Sequence, residues 1–145
     1  MIMTTKKKVI IYLILFIALL SIPWVNALSS NFVMEGDFGD RSVKFIGSHG
    51  RYKLEANYLS KTHVVNTGYY ASLFDTLYLF QVRRDKVAAD DAFDINEFLR
   101  GHRIVIVFKL NQKSDKEYSI KFIEEDPRKG ISMYPVTIEG DLGIL

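Results

Sequence analysis

A mainly β (α+β) fold, a small antiparallel barrel or rolled sheet with one or two short helices behind an N-terminal hydrophobic helix, is predicted by three features of this 145-residue sequence. The first is the uncharged run from Val9 to Ala27 that follows Lys6, Lys7 and Lys8. The second is a period-two alternation of apolar and polar side chains in several later segments, the spacing of a strand with one wet face. The third is the glycine-bearing turn chemistry that separates those segments.

The leader supports two readings. Lysines, an apolar stretch and the Val25-Asn26-Ala27 step reproduce the three zones of a secretory signal peptide, with cleavage after Ala27. As a helix, the same nineteen residues from Val9 to Ala27 would be about 28 Å long, close to the roughly 30 Å of a bilayer core, so a retained anchor fits as well. Pro23 and Asn26 weaken its far end as hydrocarbon material, and Trp24 suits an interfacial belt. In either case the lysines stay on the cytoplasmic side. The chain therefore divides into 1–27, a signal peptide or single transmembrane anchor, and 28–145, a translocated β-rich domain on the periplasmic or extracellular side of the cell envelope.

Charge follows that division. The whole chain has formal charge +2, but three lysines and no acid lie before residue 28, so the remainder carries −1. A nucleic-acid-binding domain needs a basic footprint, and scattered pairs such as Arg83-Arg84 do not make one. Cysteine is absent, which excludes disulfides, thiolate zinc sites and a cysteine nucleophile. Residues 28–145 are enough for one domain that must rely on its apolar core.

In chain order, Leu28 to Asn31 reads as a spacer and Phe32-Val33-Met34 as a first strand, followed by a turn from Glu35 to Asp40. Glu35, Asp37 and Asp40 are clustered oxygen donors, but their spacing matches no calcium loop, and an acidic turn explains them better. Ser42 to Ile46 and Arg51 to Tyr58 form a hairpin through Gly47-Ser48-His49-Gly50, with Val43 and Phe45 of the first and Tyr52, Leu54, Ala56 and Tyr58 of the second on the inner face. Lys61 to Val65 continues as strand. Gly68 to Phe80 fits both periods, and we expect a short helical or irregular piece near Ala71 to Asp75, then a doubly covered strand from Leu77 to Arg83.

Asp94-Ile95-Asn96-Glu97 has the form of a capping box, with Phe93 and Phe98 as staple and Gly101 as stop, predicting a two-turn helix. That helix is also a candidate crossover, which would make the sheet mixed. Arg103 to Leu110 is the strongest strand signal, and Glu117 to Glu124 returns beside it with Tyr118, Ile120 and Phe122 inward and Glu117, Ser119 and Lys121 outward. Ile123 breaks the alternation. Ile131 to Ile138 closes the series, with Pro135 marking an edge or an interruption because proline cannot donate to a ladder. Six or seven strands result.

No catalytic constellation stands out. Gly47-Ser48-His49-Gly50 lacks the frame of a nucleophile elbow, and His49, His63 and His102 lie fourteen and thirty-nine residues apart, unlike a zinc-hydrolase motif. Phosphate-cradling glycine loops are absent. The sequence thus points to no cofactor, no metal and no nucleic acid. Seven tyrosines after residue 27, together with the apolar end Ile144-Leu145, suit a surface that meets a protein partner. Tyr69, Tyr70, Tyr134, Ile144 and Leu145 are the candidate interaction residues. The expected function is a non-enzymatic envelope or exported protein-interaction domain, an accessory subunit of a membrane assembly if residues 9–27 are retained. A small exported hydrolase or small-molecule binder using the histidines, and a secreted inhibitor or immunity protein, are the alternatives.

Overall fold

The computed structural model describes residues 5–59, 61–88, 104–123 and 133–144. Helix α1 (Thr5–Ser29) precedes eight strands: β1 (Asn31–Asp37), β2 (Arg41–Ser48), β3 (Arg51–Tyr58), β4 (His63–Leu73), β5 (Thr76–Ala88), β6 (Val105–Gln112), β7 (Glu117–Phe122) and β8 (Tyr134–Asp141). Each strand pairs antiparallel with the next, and β8 pairs back onto β1, closing an up-and-down barrel. The β-dominated fold with an N-terminal apolar helix is the one expected, with eight strands among the described residues rather than six or seven. β5 and β6 are antiparallel neighbours, so no crossover separates them and the sheet is not mixed. The capping-box segment from Asp94, His102 and Leu145 lie outside the described residues.

An eight-stranded barrel is just wide enough inside for side chains to fill it. Aromatic rings fill one end. Phe45 stacks between Phe32 (ring centroids 5.5 Å apart) and Tyr52 (5.3 Å), and Tyr70 meets Phe32 and Phe45 edge-on. Rings of this size need relief beside them. In register across five adjoining strands stand Gly140, Phe32, Gly47, Tyr52 and Gly68, small and large by turns. A Cβ on Gly47 would come within 2.8 Å of the Phe32 ring, and one on Gly68 within 3.0 Å of the Tyr52 ring. Toward the opposite end a second aromatic group gathers, with Phe38 against Tyr134 at 4.6 Å and Phe122 against Phe108 and Tyr134 at 6.0 Å.

The outer wall is charged. Lys44 pairs with Glu35 at 2.8 Å and Arg83 with Asp85 at 2.9 Å, exposed contacts worth little stability that mark this face as wet. A barrel that spans a membrane has the opposite arrangement, apolar outside and polar within.

The β2–β3 hairpin forms as expected, and its turn is the two residues His49 and Gly50, with φ of 49° and 78°. That double positive φ belongs to the primed turns that match strand twist. The helical piece expected near Ala71 to Asp75 is not there: β4 runs through Leu73, and Phe74-Asp75 is a two-residue turn into β5. The last turn of α1 lies against β4, and Ala71 is buried although it alternates with the inward Tyr70. Covered on both faces, the strand loses the alternation that would have identified it.

The expected spacer from Leu28 is the end of the helix, which continues to Ser29 and leaves Ser30 alone before β1. Glu35 to Asp37 belong to β1, so the turn is confined to Phe38-Gly39-Asp40. Ser119, expected outward, is buried. Pro135, expected at an edge or an interruption, lies within continuous β8 opposite Ser119, at a place where the β1 side of the strand is unpaired. Ile138 N donates toward the β7 side, so by alternation Pro135 turns its missing donor toward β1, beyond the last β1–β8 pair at Gly36 and Val136.

Tyr52 lies inside the barrel, and burial pushes its phenol up to about 12 from an ordinary value of 10. The fold accommodates the neutral phenol. Its contribution is therefore complete below pH about 10 and is lost as pH rises through about 12. Alkaline titration followed by circular dichroism should show stability level through neutral pH and falling in that window. Y52F should flatten the fall, and an unchanged alkaline limb would show that other groups cause it.

Candidate functional site: the junction of helix and barrel

The surface of α1 is bare and apolar along nearly its whole length, and the helix is long and apolar enough to cross a membrane. Only Asn26 and Ala27 are buried in it. Both lie in the last turn, where a helix leaves carbonyl groups without internal partners and a buried end must find others. Ala27 O accepts from Ser30 Oγ at 2.7 Å, from Ser30 N at 3.2 Å and from Tyr70 Oη at 3.4 Å. Asn26 O accepts from Ser29 Oγ at 2.7 Å. The helix end is thereby closed by its own serines and by one barrel tyrosine.

The Asn26 side chain holds three pieces of chain together. Its Nδ2 donates to Ser72 Oγ at 2.9 Å and Ser72 O at 3.3 Å, at the end of β4. Its Oδ1 accepts from Ile144 N at 2.7 Å, in the segment after β8. Gly143 permits that approach, because its φ is 115° and a Cβ there would overlap the Asn26 amide. The Asp141 carboxylate accepts from Gly143 N at 2.9 Å and shapes the same turn. On the outside, Trp24 stacks on Phe80 with ring centroids 5.2 Å apart. Helix, β4, β5 and the chain end are thus locked into one corner.

The candidate residues fall in different places. Tyr70 is 0% exposed, its hydroxyl hydrogen-bonded to Ser30, so it belongs to the interior rather than to an outer surface. Burial raises its phenol above the ordinary value, against the opposing pull of the Ser30 contact. Tyr134 is half-buried among the aromatics at the other end of the barrel. Tyr69 is exposed on the wall opposite Phe80, with the Arg51 guanidinium 6.0 Å from its ring centre. Ile144 is exposed beside the Asn26 contact. The junction brings Tyr69, Tyr70 and Ile144 into one neighbourhood and leaves Tyr134 apart.

His49 and His63 are not brought together. His49 precedes β3, and His63 pairs with Asn57 near its far end, about 20 Å along the strand. His49 Nδ1 is 2.9 Å from Ser48 Oγ, and His63 Nδ1 contacts Asn57 Oδ1. Among the described residues no three His, Asp or Glu side chains gather as metal ligands. Asn26 is the residue to which sequence reasoning gave no structural part, and it is the hub of the junction. Its signal was present: a lone amide in a long uncharged run must either be removed with that run or find buried partners.

No family model, curated protein or solved structure matches the chain.

Proposed function

We propose that this protein is a membrane-anchored, non-enzymatic interaction domain of the cell envelope, in which α1 is retained and the barrel stands on the non-cytoplasmic side as an accessory subunit that binds a protein partner. One observation carries the reading: the end of the apolar helix is a working part of the barrel, because Asn26 joins α1 to β4 and to the segment after β8. Cleavage after Ala27 would remove that amide and leave the groups of Ser72 and Ile144 that it serves without it, a costly loss in a buried corner. The triple lysine orients the helix with its start in the cytoplasm. For the partner, the support is exposed apolar surface on the barrel: Leu59 in the turn after β3, Val82 at the β5 bulge, and Ile104 before β6. Large apolar side chains left open on a charged wall suit an interface.

Intact mass and fractionation test the anchor. Full-length protein of 16.7 kDa in the membrane pellet is expected, whereas a soluble product beginning at Leu28 would overturn retention. Crosslinking and co-purification from native membranes test the partner, and a monomer recovered alone would count against it.

A further inference from the structure

We infer that the collar of the barrel around the α1 junction is itself a lipid-contacting surface, seated in the headgroup and upper acyl region of the bilayer that α1 crosses. The inference rests on the retention of α1. Twenty residues at 1.5 Å each span about 30 Å, so with Lys8 at the cytoplasmic face the hydrocarbon reaches from Val9 to about Leu28. Leu28 is exposed and lies one residue past buried Ala27, so no linker separates the bilayer from the barrel. Whatever side chains surround the junction must meet the interface.

Those side chains are suited to it. Phe74 is 75% exposed and Ile144 is 80% exposed, and each is close along the chain to an Asn26 partner: Phe74 is two residues from Ser72, and the Ile144 amide is itself bonded. Phe74 occupies the first place of a two-residue turn with φ of 53°, where a primed turn favours glycine. An aromatic ring held in water at an unfavourable backbone angle gains nothing from the barrel. It gains by entering lipid. On the wall beside the helix, Arg51, Tyr69 and Phe80 stand in register, with Trp24 stacked on Phe80. Trp24 and Tyr69 have the amphipathic rings of an interfacial belt, and the Arg51 guanidinium over Tyr69 suits lipid phosphate.

The test uses full-length protein in phosphatidylcholine vesicles containing one-quarter phosphatidylglycerol, with bromine placed at shallow or deep acyl positions in matched samples. Trp24 is the only native tryptophan. Its quenching by brominated lipid reports on the anchor. W24F combined with F74W, and separately with I144W, moves the reporter to the collar, and W24F with L59W places it after the far end of β3, at the opposite end of the barrel. Blue-shifted emission and loss of most intensity with shallow bromine for the F74W and I144W reporters, with little change for L59W, is the expected result. If Trp24 is quenched while the F74W and I144W reporters emit as in water, the anchor stands and the collar proposal fails, leaving these residues for a protein partner. If Trp24 is not quenched either, the anchor reading fails first and takes the collar with it.

Discussion

N26A should lower the stability of the barrel by about 2–4 kcal/mol, measured by urea denaturation of the full-length protein in mild detergent. Removal of this amide deletes bonds to Ser72 and to Ile144 N, and each buried partner left unsatisfied costs about 1–3 kcal/mol. Asn26 and Ser72 are buried and the Ile144 contact is part-buried, so on the Ser72 side water does not readily replace what is lost. N26D should cost at least as much, because a carboxylate would face the Ser72 carbonyl where a donor now stands and would be charged within a dry corner. Trp24 stacks two residues away on Phe80, so its emission should report loosening of the junction before global unfolding. S21A, at an exposed position of α1 before the clamp, serves as the control. Equal stability of N26A and wild type would show that the helix end is held by packing alone and would remove the main support for a retained anchor.

F45A should be the most damaging single truncation in the barrel, with a loss of about 3–5 kcal/mol, the range for a large aromatic removed from a core. Phe45 is fully buried and lies between the rings of Phe32 and Tyr52, with Tyr70 at its edge. Its loss leaves three aromatic rings without their common neighbour inside a closed barrel whose hydrogen-bonded wall cannot collapse to fill the gap. Tyr70 would then hold the Ser30 contact less firmly, so damage to the core should reach the helix junction. F74A offers the contrast. The ring it removes is exposed, and stability in solution should change by no more than about 0.5 kcal/mol. A small effect of F45A would mean that the stack tolerates rearrangement.

Both effects trace to features with different visibility in the sequence. Phe45 was placed correctly, because Val43 and Phe45 alternate with polar residues and fall on the face shared with Tyr52. The same logic identified β6 and β7, whose period of two is strong. It failed at β4, where the end of α1 covers the outer face and Ala71 is buried beside inward Tyr70. It also missed the role of glycine. Gly47 read as part of a turn, but it lies within β2 and gives space to the Phe32 ring. Such relief depends on which residues stand opposite one another on five strands, and register is a property of pairing rather than of any one segment.

Asn26 shows the same limit at the candidate site. Local patterning marked residues 9–27 as apolar and oriented, since hydrophobicity and the lysines before them act over adjacent residues. The packing of the last turn of that run into the barrel depended on Ser72, forty-six residues later, and Ile144, one hundred and eighteen residues later. By itself the sequence determined the β class, the inward faces of the regular strands and the apolar leader, all consequences of spacing along the chain. Closure of eight strands into a barrel, the glycine relief beside its rings and the insertion of the helix end were decided only in three dimensions, because each consists of contacts between residues far apart in sequence.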